Sequence, residues 1–379
     1  MEGRRVRLVP LAVVVAAACA SLGPTPSAPP APVLASISDS SCSAALDSLM
    51  AIFRHDYPGY RDKVTGHEAA LAALTDSVRA VARTASQYQV CIPALRRWAE
   101  FFQDPHVTGP WQSSPPPARR NASPPLPPLD LGAPDPNRPS WRFLDDSTAV
   151  LRIPTFSEEY GPVIDSVVGA NRRRLEATPY LVVDLRGNDG GSTESYRSLT
   201  PLLYANPVRF DGADVWASPA NIAHYRGMLS DTLISTGVRH SIQEAVWRME
   251  ARVNQWVELR RDTIVGLDTV LPMPRTVAVV MDSVCASTCE DFLLEVRQSA
   301  KVTVMGVGHT AGVHDYGEVR GVWLPGWRRV ALPTNRARGP RIDHVGIAPT
   351  VWIPRTEQDP VEFARRHIYT RPARSVPSR

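Results

Sequence analysis

Between Ser43 and Phe102 apolar residues recur at helical spacing: Leu46, Leu49, Met50 and Phe53, then Leu71, Leu74, Val78 and Val81, then Ile92, Leu95, Trp98, Phe101 and Phe102. The pattern predicts a small helical region over 41–106. Residues 107–141 carry no such period and are dominated by proline and polar side chains, which predicts an extended connection too short for an inserted domain. From Thr148 the pattern changes to short β-branched runs at 148–153, 180–183, 276–281 and 302–307, separated by helical stretches such as 160–175 and 291–299. Strands alternating with helices imply βαβ units around a mostly parallel sheet, an α/β core placed here at 142–355. Strand-and-turn patterning returns at 322–324 and 328–332, and an amphipathic helical tail closes the segment 356–379.

The first twenty residues belong to none of these elements. Arg4, Arg5 and Arg7 precede an apolar run from Leu8 to Ala20 that is too short to span a bilayer, which reads as a targeting segment. Ala16-Ala17-Ala18-Cys19 resembles a bacterial lipoprotein box with alanine where leucine is usual, and Ala18-Cys19-Ala20 also fits an A-x-A cleavage site. Lipidation of Cys19 would leave the chain anchored to a membrane surface in the cell envelope; simple cleavage would free it. Either route exports it. A proline-rich linker follows over 21–40.

Composition narrows the chemistry. Of 379 residues, 43% are hydrophobic and 21% charged, enough apolar material for a sizeable core. The 36 prolines far exceed the usual share of about 5%. Only two of the 42 basic side chains are lysines, Lys63 and Lys301, so lysine-dependent chemistry has few candidates. The formal charge of +4, without a basic run, gives no reason to expect nucleic acid as a partner.

Export would place Cys42, Cys91, Cys285 and Cys289 in an oxidising compartment. A Cys42–Cys91 bridge would tie two helices of the N-terminal region together; two buried free thiols are the alternative. Cys285 and Cys289, four apart, either pair locally or pack.

Two strand-to-helix junctions carry candidate chemistry. In Asp184-Leu185-Arg186-Gly187-Asn188-Asp189-Gly190-Gly191, absent Cβ atoms let a ligand approach backbone N–H groups, although such glycines also simply make turns. Neither the dinucleotide fingerprint nor the phosphate loop is present. In Cys285-Ala286-Ser287-Thr288-Cys289-Glu290, Ser287 and Glu290 match a capping box. A serine at a helix start also sits where amides and dipole favour negative charge, which suits an acyl-transfer nucleophile and its oxyanion.

Those junctions, with Gly306-Val307-Gly308-His309-Thr310-Ala311-Gly312 and Ile342-Asp343-His344-Val345-Gly346-Ile347-Ala348-Pro349 after them in that order, resemble the tail-specific (C-terminal processing) protease and tricorn core family of serine peptidases. Phe101-Phe102-Gln103-Asp104-Pro105-His106 resembles the Asp-Gly-His element of that family, and the likeness extends upstream through Tyr57-Pro58-Gly59-Tyr60 and Cys91. The resemblance implies a crotonase-like (ClpP-like) ββα core, hydrolysis of peptide or protein substrates through an acyl-enzyme, and no cofactor. Where tail-specific proteases carry their lysine base this chain has Val313, and there is no room for their PDZ domain. Pro105 replaces a small residue, and Thr350 an acidic one.

A serine hydroxyl needs an adjacent base at neutral pH. Of nine histidines, His55, His67, His224, His240 and His367 match no motif; His309, His314 and His344 lie in matched segments away from the position used for the base. His106 occupies that position. The resemblance therefore implies Ser287 as nucleophile, His106 as base and Asp343 as orienter, a position usually held by glutamate. It implies an oxyanion hole from the amides of Thr288 and Gly190, with Gly191 the alternative donor. A peptide-binding relative that has lost catalysis, or a core binding an acyl thioester, are the competing readings; the pairing of serine with histidine argues against both.

Overall fold

The computed structural model describes residues 41–111, 135–232, 234–326 and 328–370. The targeting segment with Cys19, the linker over 21–40 and most of the proline-rich connection lie outside the described residues.

Four helices open the described chain: α1 (Cys42–Asp56), α2 (Tyr60–Val64), α3 (Glu68–Thr84) and α4 (Tyr88–Ala99). Ser41 caps α1 by accepting the Ala44 N–H at 3.1 Å. Most of the helical stripe is buried as the spacing predicts, with Leu46, Leu49, Phe53, Val78, Leu95, Trp98 and Phe102 in one cluster, whereas Val81 is exposed. A disulfide joins Cys42 in α1 to Cys91 in α4. Leu324, Val330 and Leu332, from strands far along the chain, complete the same cluster and so dock the helices on the rest of the molecule.

The core begins with β1 (Ser140–Asp145) and β2 (Thr148–Arg152), then α5 (Gly161–Leu175) and β3 (Tyr180–Asp184). A region with little sequence signal follows: α6 (Thr200–Leu203), β4 (Val208–Phe210), β5 (Ala213–Trp216), α7 (Pro219–Met228), α8 (Thr236–Glu250), β6 (Trp256–Arg260) and β7 (Thr263–Val265). The chain returns to the core with β8 (Thr276–Met281), α9 (Thr288–Val296) and β9 (Val302–Gly306). It ends in β10 (Tyr316–Leu324), β11 (Arg328–Ala337), β12 (Val351–Trp352) and α10 (Pro360–Thr370).

Among the described residues the main sheet has the order β1-β2-β3-β8-β9-β12, parallel throughout except for the antiparallel edge strand β1. Every residue of β2, β8 and β9 is buried, as expected of parallel strands covered on both faces. One face packs on α5 and α9 through Leu151, Val183, Val279, Ile164 and Phe292. The other packs on α10 through Val150, Val280, Val361 and Ile368. A second, antiparallel sheet of order β10-β11-β5-β6 carries the α7–α8 pair on Val215, Ile222, Val246 and Val257. The fold is thus mixed α/β with a central, mostly parallel sheet.

Because β3 and β8 are parallel neighbours, with Asp184 paired to Val280, their C-terminal ends lie side by side. The two junctions singled out in the sequence leave the sheet at that shared edge, where ligands bind in open α/β folds.

Candidate active site

Asp184, buried at the end of β3, accepts from the Arg186 guanidinium at 2.8 Å through both oxygens and from Arg152 at 3.3 Å. That buried network stiffens the base of the glycine-rich turn. Asn188 then spans it, donating to Ile153 O at 3.1 Å and accepting the Gly190 N–H at 3.0 Å. Gly190 and Gly191 both have positive φ, 108° and 139°. A Cβ on Gly191 would fall 2.2 Å from the Phe156 carbonyl, and one on Gly190 would fall 2.7 Å from Ala286 O and 3.0 Å from Ser287 Cβ. Glycine is required at both because the turn is pressed against its neighbours, in the second case against the Ser287 segment itself.

Ser287 stands immediately before α9 with φ 53° and ψ −121°, a conformation non-glycine residues rarely adopt, and its side chain makes no capping bond. The capping-box expectation therefore fails at both ends. Glu290 N–H reaches the backbone oxygen of Ser287 at 2.7 Å. The buried Glu290 carboxylate turns away to accept from Thr310 Oγ1, and from the Gly312 and Val313 amides at 2.7 Å apiece. Burial raises the Glu290 pKa, opposed by those donors. Its physical job is to bind the loop 306–313 behind the serine, which in turn holds Ser287 N–H through Val313 O at 2.8 Å.

The Ser287 hydroxyl faces His106, with Nε2 and Oγ 3.3 Å apart across 181 positions of sequence. His106 sits on a tight turn after α4. Gln103 there takes a left-handed conformation, and its carbonyl accepts from His344 Nε2 and from Lys63 Nζ at 3.4 Å. Asp104 Oδ1 accepts the His106 amide at 2.9 Å while Oδ2 accepts the Tyr57 hydroxyl at 2.7 Å. Burial pushes the Asp104 carboxyl up to about 7, against the Tyr57 hydrogen bond and the Lys63 charge. A reciprocal backbone pair between Thr108 and Ala331 closes the turn onto β11. Burial pulls His106 down to about 4, partly offset by the charge of Asp343.

Asp343 accepts the His314 and Asp315 amides through Oδ1 at 2.7 and 2.8 Å. Its Oδ2 and His106 Nδ1 are both buried and without a hydrogen-bond partner among the described residues. The expected Asp343–His106 hydrogen bond is thus open, although the carboxylate acts on the ring electrostatically.

His314 has a different partner, its Nε2 lying 3.0 Å from Asp291 Oδ1. His309 bonds Val345 O at 2.9 Å, and His224 lies 3.2 Å from Glu318. Lys301 is buried at the start of β9 beside Val277, the opposite end of the sheet from Ser287. Of the expected oxyanion donors, Gly190 is already spent on Asn188. Thr288 N–H is the first of α9, one of the amides a helix start leaves without an intrahelical partner. Thr288 Oγ1 donates to Gly191 O at 2.7 Å and ties the two junctions together. Cys285 and Cys289, left open by the sequence, form a second disulfide. The Tyr57–Asp104 bond and the contacts of Glu290, which build the frame around the pair, carry no local sequence signal because their partners are 20 or more positions apart, whereas the Asp104–His106 contact is local.

Comparison with known proteins follows the same residues. The profile of peptidase family S41 matches residues 147–352. No curated protein matches the sequence significantly. Among solved structures, a candidate peptidase from Parabacteroides merdae ATCC 43184 superposes with a TM-score of 0.56 at 14% identity, covering 89% of this chain and 100% of its own. Mature CPAF complexed with lactacystin gives 0.55 at 13% identity, covering 86% and 97%. At that identity the likeness is one of fold. Because the family match spans more than half of the chain and includes Ser287 and the glycine-rich turn, this protein belongs to peptidase family S41 and is a serine peptidase acting on peptide or protein substrates.

Proposed function

We propose that the chain is an exported serine peptidase in which Ser287 attacks the scissile carbonyl, His106 takes its proton, and Asp343 orients the imidazole. The observation that carries this reading is the 3.3 Å approach of His106 Nε2 to Ser287 Oγ at a backbone-strained serine. Attack forms a tetrahedral oxyanion, collapse releases the amine with the proton returned by His106, and water hydrolyses the acyl-enzyme by the same relay. Thr288 N–H and, with Gly190 N–H engaged, Gly191 N–H are the donors assigned to the oxyanion. Asp343 Oδ2 and His106 Nδ1 come together as the imidazolium forms, which satisfies two buried atoms at once. The finer fold reading is a crotonase-like (ClpP-like) ββα core over 142–355, preceded by the helical region 41–106 and the connection 107–141. It agrees with the βαβ order of β2, α5, β3, β8, α9 and β9. Two disulfides fit passage to an oxidising compartment, with Cys19 the candidate lipid attachment. No helix among the described residues is long and apolar enough to cross a membrane.

The test is a fluorophosphonate probe and a peptide-library digest on wild type and Ser287→Ala in parallel. Wild type labels at Ser287 and cleaves; Ser287→Ala does neither, yet melts within about 0.5 kcal/mol of wild type because the hydroxyl caps nothing. A wild-type protein that never labels would sink the reading in favour of a peptide-binding relative.

A further inference from the structure

Ser287 is the middle residue of a five-residue segment whose ends are covalently joined. Cys285, in the loop after β8, is bonded to Cys289 in the first turn of α9, and both side chains are fully buried. The bridge therefore ties the incoming loop to the helix start with the serine between them. Its placement differs in kind from that of Cys42–Cys91, which spans 49 positions and staples two helices. A bridge over four positions constrains the unfolded chain far less. What it does constrain is the bend at Ser287.

That bend needs holding. A non-glycine residue at positive φ persists only where its surroundings over-determine it. Backbone bonds flank it, Ala311 N to Cys285 O at 2.8 Å and Cys289 N to Ala286 O at 3.0 Å, but the serine side chain itself has no bond to the helix. The backbone of Ser287 is itself held, its N–H by Val313 O at 2.8 Å and its O by the Glu290 and Asp291 N–H groups at 2.7 and 3.0 Å; the disulfide adds the covalent constraint, and it acts on the residues two before and two after the hydroxyl.

We propose that the Cys285–Cys289 disulfide is a positioning cross-link for the nucleophile, so that Ser287 reaches full reactivity only in the oxidised enzyme. The inference rests on the reading of Ser287 as nucleophile. It makes the peptidase weak wherever thiols are kept reduced and brings it to full activity once a disulfide-bearing oxidant has acted. In that exchange the two cysteine thiols lose two electrons and two protons, the S–S bond forms, and the oxidant's disulfide becomes two thiols.

The experiment compares oxidised mature protein, the same protein reduced with dithiothreitol, and Cys285→Ala/Cys289→Ala. Alkylation and mass spectrometry report which thiols are free, and circular dichroism that the fold is kept. The readouts are the rate constant for fluorophosphonate labelling of Ser287, and kcat and KM on one peptide. Loss of the bridge is expected to lower labelling and kcat at least about tenfold, the scale on which misplacing a reacting group registers, with KM unchanged. Reoxidation with oxidised glutathione restores both, and Cys42→Ala/Cys91→Ala, tested while folded, keeps the oxidised rate. A purely structural bridge would lower thermal stability and leave kcat on the folded protein alone. Labelling at the wild-type rate in the reduced or the double-alanine protein overturns the proposal. If the double variant does not fold, reduction of the folded wild type decides; if the buried bond resists the reductant, the variant decides. Oxidised wild type that fails to label at all refutes the nucleophile, which is a different result.

Discussion

At Ser287 the backbone stores strain that a glycine would not feel, since φ 53° with ψ −121° is a region open to glycine. At His106 the cost is electrostatic. Burial, with a smaller contribution from the His314 charge, lowers its pKa to about 4 against the opposing charges of Asp343 and Asp291. A general base must be neutral to accept the serine proton, so kcat/KM should rise as pH passes upward through about 4 and stay level across neutrality. The same shift has a consequence for folding. Between about 6.5 and about 4 only the unfolded chain takes up the proton on this residue, so the His106 contribution to stability is present above that window and lost as pH falls through it. Asp343→Asn removes the charge that props the imidazole up, and should move the acid limb to lower pH while cutting kcat by up to about 10⁴, the scale seen when such an orienter is neutralised. A pH–rate profile of wild type and variant checks both; an unmoved limb with full kcat would remove Asp343 from the triad.

The turn that carries His106 is small, and one carboxyl shapes it. Asp104 holds the His106 amide on one oxygen and Tyr57 on the other. Asp104→Ala should therefore lower kcat about tenfold or more by loosening the base. Asp104→Asn, which keeps an oxygen for the amide, should retain most of it; equal activity of the two variants would show that the turn holds itself. Since the Asp104 pKa is raised from 3.8 to about 7, its contribution to stability is full below about 3.8 and lost as pH rises through about 7. The asparagine variant should lack that loss in a denaturant titration repeated across pH. Elements such as β2, β8 and β9 were readable in the sequence because strands covered on both faces are short, mostly apolar and β-branched runs without polar alternation. The stretch from α6 to β7 was not. In α8 the exposed Trp247 sits beside the buried Val246 and blurs the helical stripe, and β5 is four residues long, its Asp214 bonded to Arg338. The serine and the histidine were visible as residue types in ordered motifs. The Glu290 carboxylate was misread as a helix cap because the amides that claim it, at Gly312 and Val313, follow more than twenty positions later.

On the scale of the whole molecule the base and the nucleophile come from different layers: His106 follows the helical region, and Ser287 rises from the main sheet. Their 3.3 Å approach therefore depends on how the helices dock on the second sheet. Apolar contact from Leu324, Val330 and Leu332 supplies part of that docking. The Thr108–Ala331 backbone pair and a hydrogen bond from the Tyr316 hydroxyl to Asp62 at 2.9 Å add to it, as does a largely buried polar joint. Arg320 on β10 donates to Asp56 at the end of α1 at 2.6 Å and to Asn221 on α7 at 2.7 Å, Asn221 donates to Asp56 O at 2.9 Å, and Trp216 Nε1 to His55 O at 2.7 Å. The side chains of Arg320 and Asp56 are only 9% and 13% exposed, so removing one partner strands a charge in a place that water hardly reaches. Asp56→Ala is expected to cost about 3–5 kcal/mol, read as a lowered denaturant midpoint. It should also reduce kcat before the protein unfolds, as the layer bearing His106 shifts against the layer bearing Ser287. The charge is the cause only if removing both ends repairs the damage, so Asp56→Leu/Arg320→Met should recover most of the stability. A cost of Asp56→Ala below about 1 kcal/mol would class the pair with solvent-screened surface bridges and leave the docking to the apolar cluster and the Thr108–Ala331 backbone pair.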